Sequence, residues 1–489
     1  GEGFLRREGR SLGGWRGSVN ARPPGPAGPF PAAHAAPGAC QPLPSLALPV
    51  TMERKHYRAV RGMRDLLPKD LAAWHRLEAV AADLGRLFGY REIRPPLVEE
   101  TELFRRSVGE VTDIVEKEMF TVERADHSFT LRPEGTAGVV RAYVEAGFAK
   151  TAPLQKFWYL GPMFRYERPQ KGRERQFTQF GVECLGSLDP RLDAECVALA
   201  VRFFERLGFA TQGDGALEVR LNSMGDGDDR ERFRDAVHAW IEPRLGHYSE
   251  DSQRRFSRNV LRILDSKDPR DIEQNRGAPA LIDFLSDTNR EHFEAVQKHL
   301  FALGVRVVVD STVVRGLDYY TRTIFEVHYP ALGARSALCG GGRYDHLVET
   351  LGGPPTPAVG FAIGFTGTLL ALEELGLLAD AALEPVEVHV LVADETPEGE
   401  ALRVADELRR AGISAVFDAE GRRLKAQLKH AARSGSRLAV LIGPQELERG
   451  EVELKDLARG TQESVPRAQL PARARAILTT AIANPELAP

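Results

Sequence analysis

The alternation of strands and helices after residue 385 is the feature of this sequence that most constrains its fold. Strand-like and helical segments alternate in the order 386–393, 398–412, 413–419, 422–435 and 437–443. This alternation predicts an α/β domain with a largely parallel sheet. Because a spacer at about 379–385 precedes it, we predict a separate α/β domain over residues 386–489.

The part of the chain before this domain has a different pattern, with two strand-rich blocks on either side of a helical one. Pro68 can open a helix, and its apolar repeat ends at Gly89. Residues 156–186 alternate between apolar and polar like two strands joined by a charged loop. Residues from about 190 to 305 are mostly helical in period, and we predict that they form a helical insertion.

The first 51 residues are dense in Gly, Pro and Ala and have no helical or strand period. We predict a disordered N-terminal extension over residues 1–51. Five arginines in this segment are compatible with a transit peptide, but an amphipathic stripe is missing. A translated leader, with Met52 as the true start, is therefore the favoured interpretation.

Composition sets broad limits on the function of the 489-residue chain. No apolar run approaches the length that spans a membrane, so no membrane role is expected. A formal net charge of -4 means that any contact with nucleic acid must use local basic patches. The four cysteines have no zinc-binding spacing, which predicts a reducing, cytoplasmic setting and leaves metal ligands unassigned.

The segment "TLRPEGTAG" at 130–138 holds the first candidate site residues. Glu134 and Thr136 are two residues apart, so on an extended chain both could reach one ammonium group. A cap at the N-terminus of a helix explains the same residues equally well. Both interpretations stay open on spacing alone.

The strand pair at 156–186 holds a second group. Arg165 lies where the first strand enters the loop, while Gln179, Gly181 and Glu183 alternate onto one face of the second strand. An arginine opposite an amide and a carboxylate suits a zwitterionic ligand next to a phosphate. A surface hairpin with salt bridges is the alternative on spacing alone.

Six segments, taken together and in this order, resemble the signature segments of the histidyl-tRNA synthetases, a class II aminoacyl-tRNA synthetase family. They are "RGMRDLLP", "TLRPEGTAG", "GPMFRYERPQKGRERQFTQFGVE", "LRILDSKD", "RGLDYYTRTIFE" and "CGGGRYD". The resemblance implies an α+β catalytic domain on an antiparallel sheet, over residues 52–380, and a C-terminal anticodon-binding domain. It also implies ATP and Mg²⁺, L-histidine and tRNA(His) as partners, and a homodimer.

The resemblance assigns roles to individual residues. Arg165 and Arg315 would be the catalytic pair at the α-phosphate of ATP, with Arg173 and Gly364 also binding ATP. The histidine-binding set would be Glu134, Thr136, Gln179, Glu183, Tyr319, Tyr320 and Tyr344. Within it, Glu183 and Tyr320 would satisfy the two ring nitrogens of a neutral imidazole.

Two basic groups are candidates for tRNA contacts. Arg168, Lys171 and Arg175 belong to the charged loop, which in the family reaches the acceptor end of the tRNA. Arg422, Lys425 and Lys429 share a stripe in the predicted α/β domain, where the family reads the anticodon. A solvated helix face is the simpler explanation of that stripe.

One stretch, "VGFAIGFTGTLLAL", departs from the family. Its strand-to-helix turn matches the third class II motif, but Gly367 stands where the family has an arginine against ATP. A true substitution would remove about 1.5 to 3 kcal/mol of charged hydrogen bonding. A regulatory paralogue that senses histidine is an alternative, although the related regulatory subunit of ATP phosphoribosyltransferase lacks an anticodon domain. A short compensated frameshift is the favoured account.

Overall fold

The computed structural model describes residues 57–109, 112, 114–169, 172–257, 259–264, 266–313, 317, 319–378 and 386–482. The prediction for residues 1–51 lies outside this part of the chain. Two predicted site residues, Lys171 and Arg315, also lie outside it.

The strands of the described chain form three sheets. In chain order, the strands before residue 386 are β1 (Arg91–Glu92), β2 (Val98–Glu100), β3 (Phe120–Arg124), β4 (His127–Leu131), β5 (Gln155–Phe164), β6 (Gln176–Leu185), β7 (Glu218–Ser223), β8 (Val307–Val309), β9 (Thr321–His328), β10 (Ala337–Arg343) and β11 (Ala358–Gly364). Those after it are β12 (Val388–Val392), β13 (Ala415–Phe417), β14 (Leu438–Ile442), β15 (Glu451–Asp456) and β16 (Gln462–Pro466).

The helices vary from single turns to twenty residues. Those before residue 386 are α1 (Pro68–Leu87), α2 (Thr101–Val108), α3 (Thr136–Glu145), α4 (Phe148–Thr151), α5 (Pro190–Arg206), α6 (Asp228–Ile241), α7 (Glu250–Arg255), α8 (Pro269–Gln274), α9 (Asp287–Ala302), α10 (Leu347–Thr350) and α11 (Phe365–Glu374). Those after it are α12 (Glu400–Arg410), α13 (Leu424–Arg433), α14 (Pro444–Arg449) and α15 (Leu470–Ile482).

The main sheet has eight strands in the order β1-β5-β6-β11-β10-β9-β7-β8. Its five central pairings are antiparallel, and only the outer pairs β1·β5 and β7·β8 are parallel. The predicted antiparallel sheet is therefore confirmed. The predicted hairpin is confirmed as β5 and β6, which lie near the middle of the sheet with Tyr159 opposite Gly181 and Phe157 opposite Glu183.

One face of the main sheet is covered by helices whose apolar residues form a single core with it. Helix α1 begins at Pro68, as predicted, and buries Trp74, Leu77, Ala81 and Leu84 in this core. It ends at Leu87, and Gly89 then adopts a left-handed φ of +74°, a conformation that glycine tolerates best. The long α5 lies in the same core and packs against α1 and α9.

The region from 190 to 305 is mainly helical, as predicted, but it is not helical throughout. It contributes β7, which pairs with β9 and with β8. The segment 218–223 is too short for its strand character to be separated from the surrounding helical periods by sequence pattern. The helical region is thus tied to the main sheet through one of its own strands.

The C-terminal part has a sheet of its own, in the order β13-β12-β14-β15-β16, with a core of its own. All five predicted segments form the predicted type of element. The prediction of a largely parallel sheet is only half right, because β14·β15 and β15·β16 are antiparallel. A short turn joins β15 to β16, and such a turn permits only antiparallel pairing.

Candidate active site

Most of the residues predicted to bind histidine or ATP fall into two adjacent regions beside strands β5 and β6. The first, the buried polar cluster, consists of Glu134, Thr136, Tyr159, Glu183 and Tyr344, all less than a tenth exposed. The second, the cationic cavity, is a cleft of about 1010 Å³ beside the β5–β6 hairpin.

Glu134 caps helix α3. Its carboxylate accepts hydrogen bonds from the backbone N–H groups of Thr136 (2.6 Å) and Ala137 (2.9 Å). Thr136 is already the first residue of the helix, so the extended-chain convergence of Glu134 and Thr136 is wrong and the capping interpretation is right. The cap fixes the direction of the Glu134 side chain, because two backbone donors hold its carboxylate.

Glu183 lies at the centre of the buried polar cluster. It accepts hydrogen bonds from the hydroxyl groups of Thr136 (2.7 Å), Tyr159 (3.4 Å) and Tyr344. The hydroxyl proton of Thr136 is therefore already engaged in a hydrogen bond to Glu183. Three hydroxyl donors from three different elements hold this carboxylate in one orientation.

Two glycines make room for Tyr159 in the cluster. A Cβ atom built on either Gly135 or Gly181 would lie far inside contact distance of the Tyr159 ring. The Tyr159 ring therefore fills the space that Gly181 leaves between Gln179 and Glu183 on β6. The three glycines of "CGGGRYD" show a similar effect: a Cβ on Gly342 would clash with β9, next to a bulge in the β9·β10 pairing.

The cluster contains two carboxylates and no cation. Burial raises the pKa of Glu134, although hydrogen bonds from Ala137 and Thr136 oppose the rise. Burial also raises the pKa of Glu183 to about 8, against the hydrogen bonds of Thr136 and Tyr344. Among the described residues, no Lys, Arg or His forms an ion pair with either carboxylate.

Gln179 adds a further buried polar atom to the site, its side-chain carbonyl oxygen. It lies two residues along β6 from Gly181, and its Oε1 is buried without a hydrogen-bond donor among the described residues. A buried acceptor without a donor is uncommon in proteins, and such atoms typically meet a ligand or water. The amide and the two carboxylates together lack a positively charged donor.

The cationic cavity contains most of the residues predicted to bind ATP. Arg165, Arg173, Tyr320, Gly364 and Gly367 line it. The Arg165 side chain is anchored, because its Nε donates to the Pro133 carbonyl oxygen at 2.9 Å. Since Pro133 directly precedes Glu134, this bond ties the arginine of the cavity to the buried polar cluster.

Two tyrosines join the two regions. The Tyr319 ring lies 4.7 Å from that of Tyr320, which lines the cavity, and 5.5 Å from that of Tyr344, which belongs to the cluster. Of the predicted histidine-binding residues, Tyr320 is therefore at the cavity wall, whereas Glu134, Thr136, Glu183 and Tyr344 lie deeper. The contacts of Tyr319 therefore connect the cavity wall to the buried polar cluster.

The charged loop of the hairpin is held in place by the chain before α1. Arg175 donates from Nη1 to the Arg61 carbonyl oxygen (3.3 Å) and from Nε to the Glu167 carbonyl oxygen (3.3 Å). Its guanidinium also stacks at 3.7 Å on the Tyr166 ring. Arg175 therefore anchors the loop, whereas Arg168 is exposed, and the predicted tRNA contacts of both stay predictions.

The three residues of the stripe in the C-terminal domain differ in their surroundings. Arg422 precedes α13 and forms ion pairs with Asp418 (2.6 Å) and Glu420 (2.5 Å), so its charge is neutralised locally. Both acidic partners precede Arg422 in the chain. Lys425 and Lys429 are exposed on α13 and form no ion pair with described residues.

Sequence reasoning missed three features of the site. Tyr159 gave no signal beyond the alternation of β5. Arg343 is fully buried and donates hydrogen bonds to Asp193 (3.0 Å from Nε), Asp345 (3.1 Å) and the Ser187 carbonyl oxygen (2.9 Å). These bonds hold the backbone next to Tyr344. The segment "LRILDSKD" was recognised as a family segment, but its place at the cavity wall was not predicted.

Comparisons with known proteins identify the family of the chain. The family profile described as "Histidyl-tRNA synthetase" matches residues 62–367, and that described as "Anticodon binding domain" matches residues 387–477. The "Histidine--tRNA ligase" of Sorangium cellulosum (strain So ce56) is 48% identical over 84% of this chain and 94% of its own. The "Histidine--tRNA ligase" of Synechococcus sp. (strain JA-3-3Ab) is 47% identical over 84% of this chain and 97% of its own.

A solved structure gives the same result. The crystal structure of apo S. aureus histidyl-tRNA synthetase is 34% identical, covers 86% of this chain and 99% of its own, and has a TM-score of 0.71. The profile match over most of the chain and the identity of these relatives establish its class. The chain belongs to the histidyl-tRNA synthetase family.

Proposed function

We propose that this chain activates L-histidine with ATP to form histidyl-adenylate and then transfers the histidyl group to tRNA(His). The observation that carries this proposal is the pair of buried carboxylates, Glu134 and Glu183, which have no ion-pair partner among the described residues, next to a cavity lined by arginines. The ammonium group of an amino acid supplies positive charge for Glu134, and a basic side chain can accept the proton that Glu183 holds below a pKa of about 8. ATP supplies the anion that suits the arginines of the cavity.

In the proposed complex, the ammonium group of histidine donates to Glu134 and to the buried Oε1 of Gln179. Thr136 acts through Glu183, because its hydroxyl proton already lies on that carboxylate. The imidazole ring takes its partners from Glu183 and Tyr320. A competitor that lacks either ring nitrogen leaves a buried polar group unpaired, which costs about 1 to 3 kcal/mol for each group.

The chemical step needs no general base from the protein. The carboxylate of histidine attacks the α-phosphorus of ATP, a new bond forms from carboxylate oxygen to phosphorus, and the bond to the leaving pyrophosphate breaks. Arg165, held by the Pro133 carbonyl oxygen, is positioned to offset charge on the α-phosphate. Arg315 is proposed for the same phosphate on family resemblance alone.

Mg²⁺ is proposed as part of the ATP complex. Within the described residues, no group of three or more metal-binding side chains is present. The cavity nevertheless fits the ion, because Mg²⁺ commonly uses one or two carboxylates with phosphate oxygens, and Glu118, Glu167, Glu174 and Glu326 line the cavity. When bound, the ion neutralises phosphate charge.

The tRNA is proposed to bind at two places. Arg168, Lys171 and Arg173 of the hairpin loop would contact its acceptor end, with Arg173 shared between tRNA and ATP. Lys425 and Lys429 on α13 would contact the anticodon stem or loop. After activation, a hydroxyl of the 3′-terminal ribose attacks the carbonyl carbon of the adenylate, and AMP leaves.

A homodimer in the cytoplasm is the proposed context. Leu97, Val98 and Val122 belong to or adjoin the small sheet β2-β4-β3 and are 44%, 47% and 61% exposed, which suits a covered surface. Cys184 and Cys196 are free thiols, consistent with a reducing compartment. None of the described helices combines the length and apolar character that a membrane crossing requires.

The test is ATP–pyrophosphate exchange with the full chain, in the presence of histidine or of other amino acids. Exchange is expected only with histidine. The variant Gln179→Leu removes the buried acceptor and is expected to raise the KM for histidine about 5- to 150-fold, equivalent to about 1 to 3 kcal/mol. Gln176→Leu, at the exposed start of the same strand, is the matched control and is expected to leave that KM unchanged.

The outcome also separates the enzyme from the histidine-sensing alternative, which the glycine at position 367 favours. A chain that binds histidine but exchanges no pyrophosphate, alone or as Gly367→Arg, is a sensor, and the enzymatic proposal is then wrong. Exchange by Gly367→Arg alone would mean that the glycine inactivates this chain.

A further inference from the structure

Gly367 leaves an open space at the wall of the cationic cavity. It is the third residue of α11 and lines the cavity together with Gly364 and Thr366. A Cβ atom built on Gly367 would have no neighbour within 4 Å. The position therefore accepts a side chain easily, and the cavity has lost the positive charge that the family places there.

A different part of the chain brings positive charge to the same cavity. Arg255, Arg262 and Lys267, from the helical region between β7 and β8, line it. Arg255 forms an ion pair with Asp251 at 2.8 Å. Arg262 and Lys267, by contrast, form no ion pair with any residue in the described ranges.

The backbone that carries these two cations is fixed on both sides. Val260 and Ile263 flank Arg262 and are buried in the main core, at 5% and 0% exposure. Ser266 precedes Lys267 and donates its hydroxyl to Asp271 at 2.5 Å. Asp268 follows Lys267 and caps α8 by accepting from the Arg270 N–H at 2.9 Å. The two charges are thus placed at the cavity without large loss of backbone entropy on binding.

We propose that Arg262 and Lys267 bind the polyphosphate of ATP and replace the charge that is missing at Gly367. This inference rests on the proposed function and adds two ATP-binding residues to its site. The N-terminus of α11 faces the cavity through Gly364, Thr366 and Gly367, and its free N–H groups contribute further positive potential.

The phosphates of tRNA are the competing ligand for the same cations. The structure favours ATP, because Arg262 and Lys267 line one cavity with Arg165 and Gly367, which stand at the nucleotide site of the family. Pyrophosphate exchange distinguishes the two ligands, since it proceeds without tRNA.

The experiment compares Arg262→Gln and Lys267→Gln in histidine-dependent exchange with the full chain. Each variant is expected to raise the KM for ATP about 10- to 100-fold, with the KM for histidine unchanged. Lys267→Arg keeps the charge and is expected to stay near the native value. Arg254→Gln, an exposed neighbour outside the cavity, is the control and is expected to leave both constants unchanged.

A second comparison tests the compensation itself. Gly367→Arg is expected to restore ATP use to the Lys267→Gln variant. Unchanged KM values for ATP in both glutamine variants would overturn the proposal, as would a rise confined to the KM for tRNA in aminoacylation. If neither the native chain nor Gly367→Arg shows exchange, binding of a non-hydrolysable ATP analogue with Mg²⁺ decides the proposal separately: weaker binding by the glutamine variants supports it, and equal binding refutes it.

Discussion

Arg343 offers the sharpest test of how the site is supported, because its charged head is buried next to the buried polar cluster. Its side chain is fully inaccessible and bonds two carboxylates and one carbonyl oxygen. In Arg343→Met, the ion-pair partners left among the described residues are His292 for Asp193, at 3.3 Å, and Arg322 for Asp345, at 3.6 Å. Removal of one partner of a buried ion pair costs about 3 to 5 kcal/mol, and we expect this loss in the free energy of unfolding.

Urea unfolding followed by tryptophan fluorescence measures the effect in the relevant domain. Trp74, Trp158 and Trp240 belong to this domain, Trp15 lies outside the described residues, and no tryptophan follows residue 386, so the signal excludes the C-terminal domain. The double variant Arg343→Met with Asp193→Asn removes the unpaired charge and is expected to be at least about 1 kcal/mol more stable than the single variant. A loss below about 1 kcal/mol in the single variant, or no recovery in the double one, would refute the reasoning.

Three further predictions concern the same domain. Burial raises the pKa of Glu183 to about 8, above the 4.5 of an exposed glutamate, so the folded state holds the extra proton between these values and stability falls as pH rises from about 4.5 to 8. Melting temperatures of Glu183→Gln should fall less over this range, and an unchanged slope would contradict the assignment. Arg168→Gln should weaken tRNA binding and reduce its salt dependence by about one unit of slope without affecting pyrophosphate exchange, whereas Arg175→Gln should impair both because Arg175 holds the loop. Gly181→Ala should cost about 1 to 3 kcal/mol in urea unfolding, because its methyl group meets the Tyr159 ring, while Gly246→Ala, which has open space, should be neutral.

The sequence predicted the elements of the site better than the contacts within it. The β5–β6 hairpin and the common face of Gln179 and Glu183 followed from the two-residue period of strands, which depends only on the local chain. The helical cap at Glu134 was one of two open interpretations, because local spacing did not show where α3 begins. The partner of Thr136 could not be predicted, since Glu183 reaches it from another strand.

The partners of the charged residues could not be predicted from the sequence either. Arg422 was placed on a basic stripe with Lys425 and Lys429, but Asp418 and Glu420 neutralise it from the preceding turn. Arg175 looked like its neighbour Arg168, yet a contact with the distant Arg61 separates their roles. Pairing across the fold, rather than charge in the sequence, determines which cations remain available for a ligand.

The insertion of the Tyr159 ring between Gly135 and Gly181 has an evolutionary consequence. Neither glycine can gain a side chain while the ring is present, and the ring fills the space that both glycines leave. The residues at positions 135, 159 and 181 come from three separate segments, and we expect them to change together in evolution. In related sequences, a larger residue at position 135 or 181 should appear together with a smaller one at position 159, and a single change should be rare.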